Sequence, residues 1–247
     1  VTHTGTTDVV VLAGGLGTRL RSEIGLTQKT MAAIGDRPFL FFMLKRLARQ
    51  GFRRIILCTG FQAQAVEEYF KREPLGLDIV FSREDTPLGT GGAFKKAASL
   101  VQGDLFLLLN GDSLCDMDYA ALLDFHARKQ ALVTLTLSEV PSRMDTGSVI
   151  MNSSGAIVDF REKSNREARV PSGHHVYVNA GVYCFNRRIF SFFPPGDVFS
   201  LENDFFPSLL TERFYGFVIK KGFLDIGTPQ RYAEARRDLK LTGLGEE

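Results

Sequence analysis

The chain has 247 residues, 44% hydrophobic, 23% charged and 11% aromatic, with 24 Gly and only 9 Pro. That composition excludes a disordered chain, a collagen-like repeat and a disulfide scaffold. Thirty Lys and Arg against 28 Asp and Glu leave a net charge of +2, and the basic residues come in short pairs such as Arg53-Arg54, Arg187-Arg188 and Lys220-Lys221, which argues against nucleic acid as a partner.

The first half of the chain alternates apolar runs with amphipathic stretches. Runs at 8–13, 54–59, 78–82 and 105–109 are rich in Val, Ile, Leu and Phe and predict buried strands. Between them, 39–50, 63–71 and 92–100 carry apolar residues at helical spacing with Lys, Arg and Glu on the other face. Strands alternating with helices predict a parallel sheet covered on both sides. Right-handed crossovers then bring the carboxyl ends of the strands to one edge, where ligands bind in such sheets.

A helix is expected at 119–129 and a strand at 133–140. From there to about Tyr183 the pattern turns to shorter strands, 148–151, 157–161 and 176–183, with a turn at Asn152-Ser153-Ser154-Gly155. This stretch predicts a β-rich, substrate-facing portion, and 164–175 reads as a mobile loop. A helix at 201–212, a strand at 217–220 and an amphipathic helix at 230–240 complete the chain. Thr228 before Pro229 predicts an N-cap with proline at the first helical position.

Cys58, Cys115 and Cys184 form an odd set without CxxC spacing, and read as reduced core residues of a cytoplasmic protein. The longest apolar stretches, 39–44 and 105–109, fall far short of the ~20 residues that span a bilayer. Residues 1–8 lack the basic and apolar regions of an export signal, so no membrane partner is expected.

Leu12-Ala13-Gly14-Gly15-Leu16-Gly17-Thr18-Arg19-Leu20 follows the first strand. Its glycines let the backbone approach a ligand, and their N–H groups can converge on phosphate oxygens at a helix N-terminus. It is neither a dinucleotide fingerprint, because Leu20 stands where the third glycine should be, nor a Walker loop, because Thr18-Arg19 follows Gly17. A glycine-rich turn with no ligand explains the loop equally well until Arg19 and Lys29 are added. Together they supply a guanidinium fork and an ammonium point charge to a polyphosphate.

Leu88-Gly89-Thr90-Gly91-Gly92-Ala93 opens a helix at the same strand edge. Small residues there leave a flat slot for a nucleobase, or simply start a helix with Thr90 as its cap. Asp112, in Asn110-Gly111-Asp112, ends the most apolar strand, and Asp225 follows the last one. Two carboxylates at strand ends suit Mg²⁺, which takes one or two of them plus phosphate oxygens and water; turn-forming or capping aspartates are the plainer alternative. Glu162-Lys163 closes one strand and can serve a polyol phosphate, although a surface pair is commoner. Gly181, in Asn179-Ala180-Gly181, either admits substrate to the backbone or marks a bulge.

Taken in order, Leu-Ala-Gly-Gly-Leu-Gly-Thr-Arg-Leu at 12–20, Lys29, Leu-Gly-Thr-Gly-Gly-Ala at 88–93, Asn-Gly-Asp at 110–112, Glu-Lys at 162–163, Asn-Ala-Gly at 179–181 and Asp-Ile-Gly-Thr-Pro at 225–229 resemble the sugar-1-phosphate nucleotidyltransferase family. Pro-Leu-Gly-Thr-Gly-Gly-Ala paired with Ser-Leu-Glu-Asn-Asp-Phe-Phe-Pro looks most like its bacterial heptose-1-phosphate guanylyltransferase branch. The resemblance implies a Rossmann-like three-layer α/β/α fold on a mixed, mainly parallel sheet, with a small β-rich sugar-binding portion. One domain would comprise a nucleotide half at about 8–140, a sugar-phosphate half at about 141–227 and a C-terminal helix at 228–247.

It further implies that Gly14, Gly15, Gly17 and Thr18 hold a nucleoside triphosphate, GTP in this branch, with Arg19 on the β and γ phosphates and Lys29 near the α phosphate. Leu12, Gly14, Glu84, Pro87, Gly89 and Gly92 border the base, and Asp112 and Asp225 hold Mg²⁺. Gly147, Glu162, Asn179 and Gly181 touch the sugar of a sugar 1-phosphate, and Lys163 its phosphate. Arg19, Lys29 and Asp112 carry the chemistry. Many members have Pro-Lys-Pro where this chain has Gln28-Lys29-Thr30, so the stiffening that fixed φ gives the lysine loop is absent here and the resting position of Lys29 is left open.

Other readings are a mannose-1-phosphate guanylyltransferase, a hexose or aminosugar uridylyltransferase, and a silent regulatory subunit that binds nucleotide sugar. Exposure of Phe192, Phe193 or Phe199 would point to a homodimer.

Overall fold

The computed structural model describes residues 4–139, 148–161, 173–220 and 223–237. In chain order these form β1 (Asp8–Leu12), α1 (Arg21–Ile24), β2 (Ala33–Ile34), β3 (Arg37–Pro38), α2 (Phe39–Arg49), β4 (Arg54–Thr59), α3 (Ala63–Arg72), β5 (Asp78–Arg83), α4 (Gly89–Ala97), β6 (Leu105–Asn110) and β7 (Ser113–Cys115). Then come α5 (Tyr119–Lys129), β8 (Val133–Ser138), β9 (Ser148–Met151), β10 (Ile157–Arg161), β11 (His175–Asn186), β12 (Phe214–Ile219), β13 (Phe223–Asp225) and α6 (Pro229–Arg237).

Nine strands make one mixed sheet. β5, β4, β1 and β6 are neighbours in that order and all parallel. β11 runs against β6 and also pairs with β8 and β9, while β12 lies parallel to β8 and β10 antiparallel to β9. Only β10 and β11 therefore oppose the common direction. The β-rich portion expected from the sequence continues the same sheet as the first four parallel strands, joined to them through the 12-residue β11.

Strand alternation builds two cores, since successive side chains point to opposite faces. Val9, Val11, Ile55, Leu57, Leu107 and Leu109 pack on one face beneath α2, α3, α5 and α6. Val10, Ile56, Cys58, Phe106 and Leu108 pack on the other with Phe94 and Ala97 of α4. This is the three-layer α/β/α arrangement, and it explains why both phases of each central strand are apolar.

Several sequence expectations need adjustment. The helix expected at 201–212 is one wide π turn (Leu201–Phe205) followed by a 3-10 turn (Phe206–Leu209). Pro207 has no N–H for a regular helix, and both Phe205 and Phe206 are buried. The strand expected at 217–220 is β12, which starts at Phe214 because Phe214 pairs with Val133. Phe199 is buried, and Phe193 packs against the rings of Phe94, Phe190, Phe199 and Phe205; Phe192 is half-buried against the same core. These phenylalanines mark core, not the exposed contact considered above. Of the segment 164–175, read as a mobile loop, residues 164–172 lie outside the described residues, as does the end of the helix expected to reach 240, whereas His175 is not loop but the first residue of β11, paired with Met151. Among the described residues no helix is long and apolar enough to cross a membrane.

Candidate active site

The carboxyl ends of β1, β4, β5 and β6 lie along one edge of the sheet, and the glycine loop leaves β1 there. It does not open a long helix. Thr18–Leu20 is a 3-10 turn and α1 has four residues, so the helix macrodipole expected here is small, and what the loop can offer an anion is N–H groups and side-chain cations. Gly17 has φ +59°, and a Cβ there would sit 2.8 Å from the Lys29 Cβ. A residue with a side chain would meet both a strained backbone and a clash. Gly15 has nothing within 4 Å of its Cβ position, leaving that side of the loop open to a ligand.

Gln28 resolves how Lys29 is held without flanking prolines. Its buried side-chain oxygen accepts from Thr30 N at 2.7 Å, Met31 N at 3.1 Å and Thr30 Oγ1 at 2.6 Å, and its amide nitrogen donates to the Ala13 carbonyl. Its own backbone N–H donates to Gln62 Oε1 at 3.1 Å. A glutamine here ties the lysine turn to the end of β1 through hydrogen bonds where a proline would use ring stiffness. In the sequence this position reads only as a missing proline, because nothing local flags it.

Lys29 Nζ is bonded to the Asp112 carboxylate, with 12% and 31% of the two side chains exposed. Burial pushes the Asp112 carboxyl up, but the charge and hydrogen bond of Lys29 and the Ser113 hydroxyl outweigh it and hold the group below the usual carboxylate range. β13 pairs with β7 so that Asp225 faces Ser113, and Ile226 N donates to the Asp112 carbonyl at 3.0 Å. Asp225 Oδ1 accepts from Gly227 N at 3.0 Å and Arg231 Nη1 at 2.8 Å. Arg231, on α6, is a further cation of the site that the sequence reading missed.

Gly15, Gly17, Thr18, Arg19, Gln28, Lys29, Asp112 and Gly227 line one pocket. Arg19 is exposed and makes no ion pair among the described residues. Two carboxylates beside a pocket with two cations suit a divalent cation whose remaining ligands come from phosphates and water. Among the described residues there is no cluster of three metal-binding side chains.

On the base side, Glu84 lies against Gly14 and Gly60: a Cβ on either would fall within 2.7 Å of Glu84 Oε1. Burial raises the Glu84 pKa, partly offset by the Leu88 N–H and the charge of Lys96. Leu12 ends β1, and Pro87 and Gly89 are exposed. The flat slot expected at 88–93 is filled. Gly91 N and Gly92 N both donate to Phe199 O, and a Cβ on Gly92 would come within 2.0 Å of Asp197 O. Gly92 is buried under 197–199, and the space a side chain would take there is held by the Asp197 backbone. Thr90 is not a cap either; its hydroxyl bonds Glu202 and Leu201 N.

On the sugar side, β11 runs antiparallel to β6, and this brings Asn179 and Gly181 to the end of β6. Gly181 has φ +76° at a register break, and its Cβ position lies 3.1 Å from Asn110 and 3.3 Å from Ser113. It is buried and marks a bulge, the plainer of the two readings made from sequence. Asn179 Nδ2 donates to Tyr183 Oη at 2.9 Å and its oxygen accepts from Gly181 N at 3.0 Å. Gly147, Glu162 and Lys163 lie outside the described residues.

The three cysteines are free and buried. Burial raises all three thiols, with the charge of Glu84 adding to Cys58 and that of Arg46 opposing it at Cys115; Cys58 and Cys115 reach about 12. They serve packing and not chemistry.

The nucleotidyl transferase family model matches residues 8–241, and the chain belongs to that family. Among its relatives, D-glycero-alpha-D-manno-heptose 1-phosphate guanylyltransferase of Aneurinibacillus thermoaerophilus is 36% identical over 236 residues, covering 94% of this chain and 98% of that one. The enzyme of the same name from Campylobacter jejuni is 32% identical, covering 90% and 96%. Mannose-1-phosphate guanylyltransferase of Mycobacterium tuberculosis is 36% identical over 94% of this chain but only 64% of its own. The structure of HddC from Yersinia pseudotuberculosis superposes with TM-score 0.82 at 33% identity, covering 94% of this chain and 99% of that one, and HddC has also been solved with GMP-PN.

Proposed function

We propose that this protein transfers the GMP moiety of GTP to D-glycero-α-D-manno-heptose 1-phosphate, releasing pyrophosphate. The observation that carries the choice of substrate is likeness to two heptose 1-phosphate guanylyltransferases, 36% and 32% identical over 94% and 90% of this chain, together with a TM-score of 0.81 to HddC solved with GMP-PN. In this reading a phosphate oxygen of the sugar phosphate attacks the α phosphorus in line, and the bond to the pyrophosphate oxygen breaks. The nucleophile is already anionic at neutral pH, so no general base is required, and catalysis rests on alignment and charge.

Arg19, exposed and without an ion-pair partner among the described residues, takes the β and γ phosphates. Lys29 leaves Asp112 for the α phosphate. Gly14, Gly15, Gly17 and Thr18 supply the phosphate loop, and Leu12, Glu84, Pro87 and Gly89 the base site. The Glu84 carboxylate, facing Gly14, accepts from the adjacent ring and exocyclic N–H groups of guanine. Asn179 meets the sugar hydroxyls, together with Gly147 and Glu162, and Lys163 takes the sugar phosphate. Asp112 and Asp225 hold Mg²⁺, which when bound neutralises charge on the phosphates. The reaction belongs in the cytoplasm, in keeping with three reduced cysteines, and its product feeds surface polysaccharide synthesis.

Pyrophosphate release by the purified protein, scanning nucleoside triphosphates against heptose and hexose 1-phosphates, tests this directly. Release with GTP and the manno-configured heptose supports the proposal. A different productive pair keeps the reaction and replaces the substrate, and none at all from folded protein favours a silent binding subunit. Sedimentation of the same sample decides between monomer and homodimer.

A further inference from the structure

Asn179 and Tyr183 are four residues apart on one strand. In a straight strand that separation is about 13 Å along the chain, with side chains standing away from the sheet, yet Asn179 Nδ2 lies 2.9 Å from Tyr183 Oη. The left-handed turn at Gly181, where the pairing with β8 also slips, closes the gap. The Tyr183 ring is fully buried against Phe206 and Phe185, so its hydroxyl is anchored from below.

Asn110 Nδ2 approaches the same hydroxyl at 3.4 Å, and Asn110 Oδ1 is buried without a partner among the described residues. Asn110 is the last residue of β6, two positions before Asp112. One phenolic oxygen thus joins an asparagine of the sugar half to the strand that delivers the carboxylate of the nucleotide half. Burial, followed by the charge of Glu202, keeps this phenol protonated.

We infer that Tyr183 is a positioning residue for sugar recognition: its hydroxyl fixes the Asn179 amide, so that the second Asn179 N–H and the free lone pair of its oxygen are presented to hydroxyls of the sugar 1-phosphate. The Asn179 amide has two bonds settled internally, one given to Tyr183 and one taken from Gly181 N. This fixes which amide atom faces which way, and with it the donor and acceptor pattern met by the sugar. Without the hydroxyl the amide keeps only the bond from Gly181 N to its oxygen, its nitrogen loses its anchor, and recognition of the sugar weakens more than that of the nucleotide. The inference rests on the reading of Asn179 as a sugar contact.

The test is steady-state kinetics of Tyr183→Phe, Asn179→Ala and the double variant, with GTP and D-glycero-α-D-manno-heptose 1-phosphate as substrates. Tyr183→Phe is expected to raise KM for the sugar phosphate about tenfold while KM for GTP stays within twofold, and the double variant to behave like Asn179→Ala alone. If Asn179→Ala raises the sugar KM but Tyr183→Phe does not, or if the two effects add, the inference falls and the sugar reading stands. An unchanged sugar KM in Asn179→Ala removes that reading and the inference with it. The side-chain amide proton signals of Asn179 give a readout independent of turnover. They should move in Tyr183→Phe and, in the wild-type protein, on adding the sugar phosphate; static signals in Tyr183→Phe overturn the inference.

Discussion

The ammonium of Lys29 is bonded to the carboxylate of Asp112 across 83 positions of sequence. The cation proposed for the α phosphate therefore rests on the carboxylate proposed for the metal, and that proposal requires both to change partners when nucleotide and metal enter. Lys29→Ala should lower kcat by at least about a hundredfold, the size of loss seen when one preorganised charge-stabilising donor is removed, with an unaltered circular dichroism spectrum. Near-normal turnover would take Lys29 out of the chemistry. Asp112→Asn should shift the Mg²⁺ titration of activity to higher concentration, and an unmoved titration would remove the ligand assignment.

The same pair has a signature in stability against pH. The folded Asp112 pKa lies below its ordinary value of 3.8, so the pair stabilises the fold fully above that value and loses this contribution as pH falls through the folded pKa. Lys29→Met should flatten the acid limb measured by urea unfolding between about pH 2 and 5. An acid limb identical to wild type would show that the pairing does not hold in solution.

Gly15 and Gly17 are two residues apart and should respond oppositely to alanine. Gly17→Ala places a Cβ at φ +59° and 2.8 Å from the Lys29 Cβ, and is expected to cost about 1–3 kcal/mol of stability along with turnover. Gly15→Ala meets nothing within 4 Å and should melt like wild type while raising KM for GTP. Equal melting temperatures for the two variants would contradict the loop geometry.

Gln28→Ala removes the acceptor of Thr30 N and Met31 N and the donor to Ala13 O. Stranding these groups should cost roughly 1–3 kcal/mol, which for a domain of this size lowers the melting temperature by several degrees. kcat should fall with it, because Lys29 loses its mount. A variant stable and active as wild type would mean that the turn is held by other contacts.

His126 is buried on α5 with Nδ1 2.9 Å from Thr134 Oγ1, and burial lowers its pKa to about 4. The unfolded chain, titrating near 6.5, binds the proton more readily. Stability is therefore undiminished above about pH 6.5 and is lost as pH falls toward 4, by up to roughly 3 kcal/mol. His126→Gln should abolish that slope in chemical denaturation; persistence of the slope would assign it to another group.

Much of this protein was legible in the sequence because the relevant physics is local. Strand and helix periods across Asp8–Leu12, Phe39–Arg49, Arg54–Thr59 and Tyr119–Lys129 follow directly from apolar spacing. The glycine loop and Asp112 follow strands whose carboxyl ends a parallel sheet brings to one edge, so Gly17, Lys29 and Asp112, which line one pocket, could be grouped from the sequence. Tertiary contact decided the rest. The turn at 201–209 depends on burying Phe205 and Phe206 together, and Gly92 is explained by the backbone of Asp197 lying on it. Gln28, Tyr183 and Arg231 act through partners 15, 73 and 6 positions away. In the sequence they read as an ordinary polar residue, a core aromatic and a surface cation, because a hydrogen bond is specified by where two atoms meet and not by the residue type that carries either one.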